Sequence, residues 1–314
     1  MTEADLRAVA AGLRGVALET PLVEAREVGE RAGGPVRLKA EHLQPVGAFK
    51  IRGAWTAVSR LGPAERARGI VTHSSGNHGQ AIALAGRRSG LRTVVVMPDT
   101  APAIKVEGVR RHGAEVVQVS GPASERGRMA EALVASDGLV LVPPYESHDV
   151  VAGQATCALE ILDTWPEGSA ILVPVGGGGL LAGTCAAVRA LRPAPRVIGV
   201  EPVGAPKLSR ALEAGHPVTL DHTASLADGL LPMRLGTIPF GYIEGVVREV
   251  VQVTDQEIAD AVRFLCHRMA LRIEPSGAAT VAALLAGKVS ATGGVTAILS
   301  GGNVDPDLFG RLVA

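Results

Sequence analysis

Lys50 lies in the run Gly47-Ala48-Phe49-Lys50-Ile51-Arg52-Gly53-Ala54. A lysine beside an aromatic residue, at the start of a helical pattern, is a candidate nucleophilic amine. Desolvation and the positive field of a helix start favour the neutral amine, which is the form that attacks a carbonyl to give a Schiff base. Taken alone, the residue reads better as a solvated helix-start lysine. A second segment, 74–80, reads Ser74-Ser75-Gly76-Asn77-His78-Gly79-Gln80. Its hydroxyls, amide and helix-N-terminal N–H groups suit a carboxylate guest, although a serine or asparagine there also serves as a plain helix cap. A third segment holds four consecutive glycines, Gly176, Gly177, Gly178 and Gly179, between an apolar run and a helical pattern. At such a turn the backbone can approach an anion closely, and the N–H groups and helix dipole favour phosphate.

Which phosphate is a separate question. Gly177-x-Gly179-x-x-Ala182 fits a loose dinucleotide fingerprint, and Glu201 falls about where a ribose-binding acid would stand. On this segment alone a nicotinamide-dependent oxidoreductase is a genuine rival. A P-loop is not, because no Gly-Lys-Ser/Thr follows.

These loops need a frame that holds them. Short β-branched runs at 35–39, 69–73, 93–97, 115–119, 139–142, 170–175, 196–200 and 295–299 alternate with Ala/Leu/Arg-rich helical patterns such as 77–88, 106–112, 125–135 and 180–191. This rhythm predicts an α/β protein with parallel sheets and right-handed crossovers. Over 314 residues, 47% are hydrophobic and only 3% aromatic, so the core must be aliphatic, as in parallel strands covered on both faces. Breaks at 61–63 and 143–148 divide the chain into a large domain, 1–61 with 146–314, and a small domain, 62–145, that closes over a cleft. Lys plus Arg number 31, as do Asp plus Glu, so no basic surplus points to nucleic acid or anionic lipid. No apolar run reaches membrane-spanning length. Residues 1–6 lack the basic and apolar regions of a signal peptide. Cys157, Cys185 and Cys266 form neither a CxxC nor a zinc pattern. The reading is a cytoplasmic α/β protein.

In sequence order the segments fit together. Residues 39–54 carry Lys39-Ala-Glu-His-Leu-Gln44-Pro-Val-Gly-Ala48-Phe49-Lys50-Ile-Arg-Gly-Ala54. They are followed by 74–80, Ala152-Gly-Gln-Ala-Thr156, the tetraglycine run, Gly199-Val-Glu-Pro202, Ala227-Asp-Gly229, Glu274-Pro-Ser-Gly277 and Ser300-Gly-Gly-Asn303. This series resembles the serine/threonine dehydratase and serine racemase family, the fold type II enzymes that use pyridoxal 5'-phosphate (PLP). The match runs from about Thr20 to Asp305. The resemblance implies a two-lobed, tryptophan synthase β-like fold, each lobe an open, mostly parallel sheet flanked by helices. It also removes most of the support for a nicotinamide cofactor.

By resemblance, Lys50 would carry the cofactor as a Schiff base and move protons at Cα. Phe49 would lie against the ring and Asn77 would hydrogen-bond the phenolic oxygen. Gly176 to Gly179 would hold the phosphate, and Ser300 would meet the pyridine nitrogen. A hydroxyl there, unlike a carboxylate, does not favour a protonated ring, which suits elimination. Ser74, Ser75, Asn77 and His78 would line the substrate-carboxylate site. The implied reaction is dehydration and deamination of a β-hydroxy amino acid such as threonine or serine to a 2-oxo acid and ammonia. Ser75, which in the racemases of this family protonates the opposite face of Cα, keeps a racemase as the alternative. A homodimer is implied by the same analogy.

Three departures bear on the pocket: Ala48, Ala155 and the Pro144-Tyr145 pair, each expected to reshape the side-chain cleft. A fourth bears on metal. Some relatives bind a divalent cation through residues that correspond to Glu201, the Ala205 carbonyl and an acid; here Lys207 stands in place of the acid. No metal is therefore expected, and the Lys207 ammonium is expected to pair with Glu201.

Overall fold

The computed structural model describes residues 1–74, 76–101, 103–191 and 195–314. The chain opens with α1 (Glu3–Gly12), whose Thr2 and Asp5 form a reciprocal capping box. There follow β1 (Leu22–Glu24), α2 (Arg26–Ala32), β2 (Val36–Lys39), a 3-10 turn at Glu41–Leu43 and α3 (Lys50–Ser59). An alternating stretch comes next: α4 (Pro63–Arg68), β3 (Ile70–His73), α5 (Asn77–Ser89), β4 (Thr93–Pro98), α6 (Ala103–Arg110), β5 (Glu115–Val119), α7 (Ala123–Asp137) and β6 (Val140–Leu141). Then come α8 (His148–Thr164), β7 (Ala170–Pro174), α9 (Gly179–Ala190), β8 (Arg196–Pro202), α10 (Lys207–Ala214) and a 3-10 turn at Asp228–Leu230. The chain ends with α11 (Thr237–Ile243), β9 (Glu249–Val253), α12 (Asp255–Met269), α13 (Pro275–Leu285), β10 (Val295–Ile298) and α14 (Pro306–Val313).

Two sheets form. One has six strands in the order β1-β2-β10-β7-β8-β9, and the other has four in the order β5-β4-β3-β6. Every pairing is parallel except β1 on β2. The architecture is therefore the α/β arrangement expected. All eight anticipated strands are present, within two residues at either end. Two strands lie outside that expectation, β1 and β9, and both are edge strands. Their polar, half-exposed faces leave no long apolar run to read.

Aliphatic layers cover both faces of each sheet. In the large sheet, α2, α12 and α13 pack on one face and α8, α9 and α11 on the other. In the small sheet the pleat of β4 decides: Val95 and Met97 face α5 and α6, while Val94 and Val96 face α7. Helix α3 sits where the two layers meet, with Ile51, Ala54 and Val58 against Ile82 and Ala85 of α5 and Val150 of α8. A Cβ on Gly153 would overlap the Arg52 carbonyl, so glycine lets α8 approach α3 closely.

A buried charge cluster fixes that junction. Arg52, in the first turn of α3, donates to both oxygens of Glu41 at 2.8 Å and to Glu160 at 2.5 and 2.8 Å. Lys39 donates to Glu160 at 2.5 Å and to the Thr20 carbonyl at 2.6 Å. Thr20 and Gln44 donate the remaining hydrogen bonds to Glu41. Two cations and two carboxylates thus satisfy one another out of water, the condition under which burying such charges is tolerable. The cluster joins the segment before Lys50 to α3 and α8.

Candidate active site

Lys50 is the first residue of α3, and its amine is buried at the junction of the two layers. Nζ donates to the Pro144 carbonyl at 3.3 Å and lies 5.0 Å from the centroid of the Phe49 ring. Burial holds its pKa down to about 8, with the Glu274 carboxylate pulling the other way. A neutral amine is therefore accessible near physiological pH, as Schiff-base chemistry requires. The N–H of Phe49 donates to the Ser300 carbonyl at 3.1 Å, and Ala48 bridges Gly301. These backbone bonds bring the loop after β10, with Ser300, beside Lys50, although 250 residues separate the two in sequence.

The segment containing Ser74 leaves the end of β3 and turns into the N-terminus of α5, where Asn77 is the first helical residue. The Ser74 Oγ accepts from the Gly76 N–H at 3.2 Å. The first-turn N–H groups of α5 have no intrahelical acceptors and form an anion-binding end. Ser75 lies outside the described residues. His78 is buried; its Nε2 is 3.4 Å from the Val142 carbonyl and its Nδ1 has no partner among the described residues. Burial, followed by the nearby Lys50 charge, pushes its pKa down to about 3, so the imidazole is neutral. Its side chain is buried against the Val142 carbonyl.

Asn77 shows a contact that sequence reading left unassigned. Its Nδ2 donates to Glu274 Oε1 at 2.7 Å, and its Oδ1 accepts from Asn303 Nδ2 at 2.8 Å. Glu274 is buried, and desolvation, reinforced by Asp228, raises its pKa to about 8. Burial thus disfavours its charged form, and its Oε1 accepts from the Asn77 amide and holds it in place. Lys105 of α6 pairs with Asp228 of the large layer and lies close to Gly76, so an ion pair ties the two layers together beside the start of α5. The Glu274-Pro-Ser-Gly277 motif was visible in the sequence. The role of its glutamate was not, because Asn77 meets it from 197 residues away.

The glycine run forms a cradle. Gly178 has φ +95°, a left-handed conformation that a side chain resists, and α9 begins at Gly179. A Cβ on Gly177 would overlap the Tyr145 ring, and one on Gly176 would lie 2.7 Å from the Gly229 carbonyl. Only bare backbone fits, its N–H groups free to face an anion at a helix N-terminus. Of the three pocket departures, only Tyr145 reaches this site. Ala155 is buried in α8, its N–H against Gly183 of α9, and Ala48 is buried at the bridge to Gly301.

Two expectations are corrected. Glu201 is no ribose acid: its carboxylate is fully buried and accepts from the Leu208 and Ser209 N–H groups at 2.7 and 3.0 Å and from the Ser209 hydroxyl at 2.6 Å. It caps α10 and has no face left for a dinucleotide. Lys207 does not pair directly with it, since no such ion pair within 4.0 Å occurs among the described residues. The ammonium donates instead to the Ala205 and Val175 carbonyls at 2.8 and 3.1 Å.

A desolvated lysine, a side-chain-free glycine turn at a helix N-terminus and the Ser300 backbone beside Phe49 fit pyridoxal phosphate. The comparisons agree. The "Pyridoxal-phosphate dependent enzyme" family model matches residues 13–301. The L-threo-3-hydroxyaspartate ammonia-lyase of Saccharomyces cerevisiae is 37% identical, over 94% of this chain and 91% of its own length. The L-threonine ammonia-lyase of Thermotoga maritima is 36% identical, over 100% of this chain and 78% of its own. The solved structure of maize serine racemase superposes with a TM-score of 0.94 at 34% identity, covering 99% of this chain and 96% of that one. A nicotinamide oxidoreductase is thereby excluded, and the chain belongs to the pyridoxal-phosphate-dependent enzyme family, with the fold of its type II members.

Proposed function

We propose that the chain is an ammonia-lyase that removes water from a β-hydroxy amino acid, such as threonine or serine, and yields a 2-oxo acid and ammonia. The observation that supports this reading is the Lys50 amine, its pKa near 8, donating to the carbonyl of Pro144, whose neighbour Tyr145 packs on Gly177 of the glycine run. When bound, the cofactor supplies an electron sink conjugated to the substrate Cα. The rest is the work of side chains and backbone. Ser74, Asn77 and the first-turn N–H groups of α5 hold the substrate carboxylate and fix Cα beside Lys50. Neutral Lys50 takes the Cα proton, the β-hydroxyl is protonated and leaves as water, and the released enamine tautomerises and is hydrolysed by water to the 2-oxo acid and ammonia. Gly176 to Gly179 and the α9 N-terminus would hold the phosphate, Phe49 would back the ring, and Ser300 would present a hydroxyl, not a charge, to the ring nitrogen. Asn77, clamped by Glu274 and Asn303, would meet the phenolic oxygen. Closure of lobe 62–145 over lobe 1–61 with 146–314 would exclude water while the Cα proton is transferred.

Relatives named as ammonia-lyases at 36–37% identity support this choice. A relative named serine racemase, from Oryza sativa subsp. indica, is 35% identical and keeps racemisation as the second reading. The same resemblance leads us to propose a cytoplasmic homodimer. The test is a substrate panel of L- and D-serine, threonine, allo-threonine and 3-hydroxyaspartate, read for 2-oxo acid and by chiral chromatography. Oxo acid from at least one substrate is expected, and it should vanish in Lys50→Ala. Enantiomer exchange without oxo acid would refute the lyase reading in favour of the racemase. Sedimentation velocity tests the dimer.

A further inference from the structure

Lys207 is a fully buried lysine with no part in the chemistry above. Two physical rules stand against it. It is the first residue of α10, where the helix dipole repels a cation, and an ammonium without water is costly unless it is well partnered. The Glu201 carboxylate, which caps α10 through Leu208 and Ser209, offsets the first cost through space. Residues that break local rules and are nonetheless satisfied in the fold tend to mark functional positions.

The partners of the ammonium show what it does. One is the Ala205 carbonyl, at 2.8 Å, in the loop after β8; the other is the Val175 carbonyl, at 3.1 Å, in the loop after β7. The Val175 N–H is already committed to the Val200 carbonyl at 2.8 Å. Val175 immediately precedes the glycine run, and its C=O shares one planar, trans peptide unit with the N–H of Gly176. In such a unit the carbonyl and the N–H point in opposite directions. Pulling the Val175 oxygen inward onto the ammonium therefore turns the Gly176 N–H the other way, toward the cradle.

We propose that Lys207 is a built-in cation that positions the phosphate loop, tying the carbonyls of Val175 and Ala205 together and so aiming the Gly176 N–H. It is a positioning residue and touches neither substrate nor cofactor. The proposal rests on the glycine run being the phosphate cradle, and it requires no external metal at this place.

The experiment uses apo protein and two probes, pyridoxine 5'-phosphate and pyridoxine. Neither has an aldehyde, so attachment to Lys50 contributes nothing to binding. By calorimetry the wild type should bind the phosphate ester at least tenfold more tightly than the alcohol. Lys207→Met and the more conservative Lys207→Gln should each lose tenfold or more for the ester and keep their affinity for the alcohol. Lys207→Ala should regain ester affinity in potassium chloride relative to tetramethylammonium chloride, while the wild type is indifferent to the exchange. Unchanged ester affinity in the variants overturns the proposal. So does equal loss for both probes, or failure of both Met and Gln variants to fold by circular dichroism, since Lys207 would then serve folding alone. A wild type that does not distinguish ester from alcohol refutes the cradle reading itself, and the proposal with it.

Discussion

The reactivity of Lys50 offers a direct test of the site's physics. Burial lowers its pKa from the ordinary 10.5 to about 8. At pH 7.5 an amine of pKa 8 is about one-quarter neutral, whereas one of pKa 10.5 is neutral about once in a thousand, so the site raises the reactive fraction roughly 200-fold. The assay is the rate at which pyridoxal 5'-phosphate attaches to apo protein between pH 6 and 10. Each rate is divided by that of butylamine, so that titration of the cofactor itself cancels. The ratio should be largest below pH 8 and fall from pH 8 to 10, as the reference amine becomes neutral. Borohydride reduction and peptide mapping should locate the adduct on Lys50, and Lys50→Ala should give none. A ratio that stays flat across the range would mean that Lys50 ionises like a solvated lysine. The argument from desolvation would then be wrong, even if the residue were still the attachment point.

Three further outcomes are expected. Glu274 has its pKa raised from 4.5 to about 8, so the fold prefers its protonated form. Its contribution to stability is full below pH 4.5 and is lost as pH rises through about 8, a total on the order of 5 kcal/mol at 1.36 kcal/mol per pH unit. In urea unfolding of apo protein, Glu274→Gln should remove that slope; parallel wild-type and variant profiles would refute it. Glu41→Ala takes from Arg52 one of its two buried carboxylate partners and should destabilise the protein by about 3–5 kcal/mol in the same measurement. Gly177→Ala should drive the Tyr145 ring from the cradle and lower pyridoxal-phosphate affinity by equilibrium dialysis. Adding Tyr145→Ala should recover part of the loss, and no recovery would show that the ring is not what the new Cβ strikes.

The chemistry-bearing segments were legible because each is local. A strand, a glycine run and a helix start occupy consecutive residues at 170–190, and backbone rules alone make that turn an anion receptor. The same holds for the start of α5 and for Lys50 at the start of α3. The alternation of aliphatic strands with helices likewise fixed the α/β class, with the edge strands β1 and β9 escaping because half-exposed strands lack an apolar run. The sequence could not separate a phosphate of pyridoxal from one of a dinucleotide at the glycine run; that needed the whole series of motifs.

Tertiary structure alone decided the partnerships. Asn77 finds Glu274 and Asn303, Tyr145 covers Gly177, and Glu201 turns away from any ligand to cap α10. Lys207, expected to pair with Glu201, reaches two carbonyls instead. Each of these depends on which loops the two sheets bring to one edge, and hydrophobic spacing carries no record of that. The ionisation of Lys50, His78 and Glu274 belongs to the same class. A residue's type gives its ordinary pKa, and only burial among particular neighbours moves it.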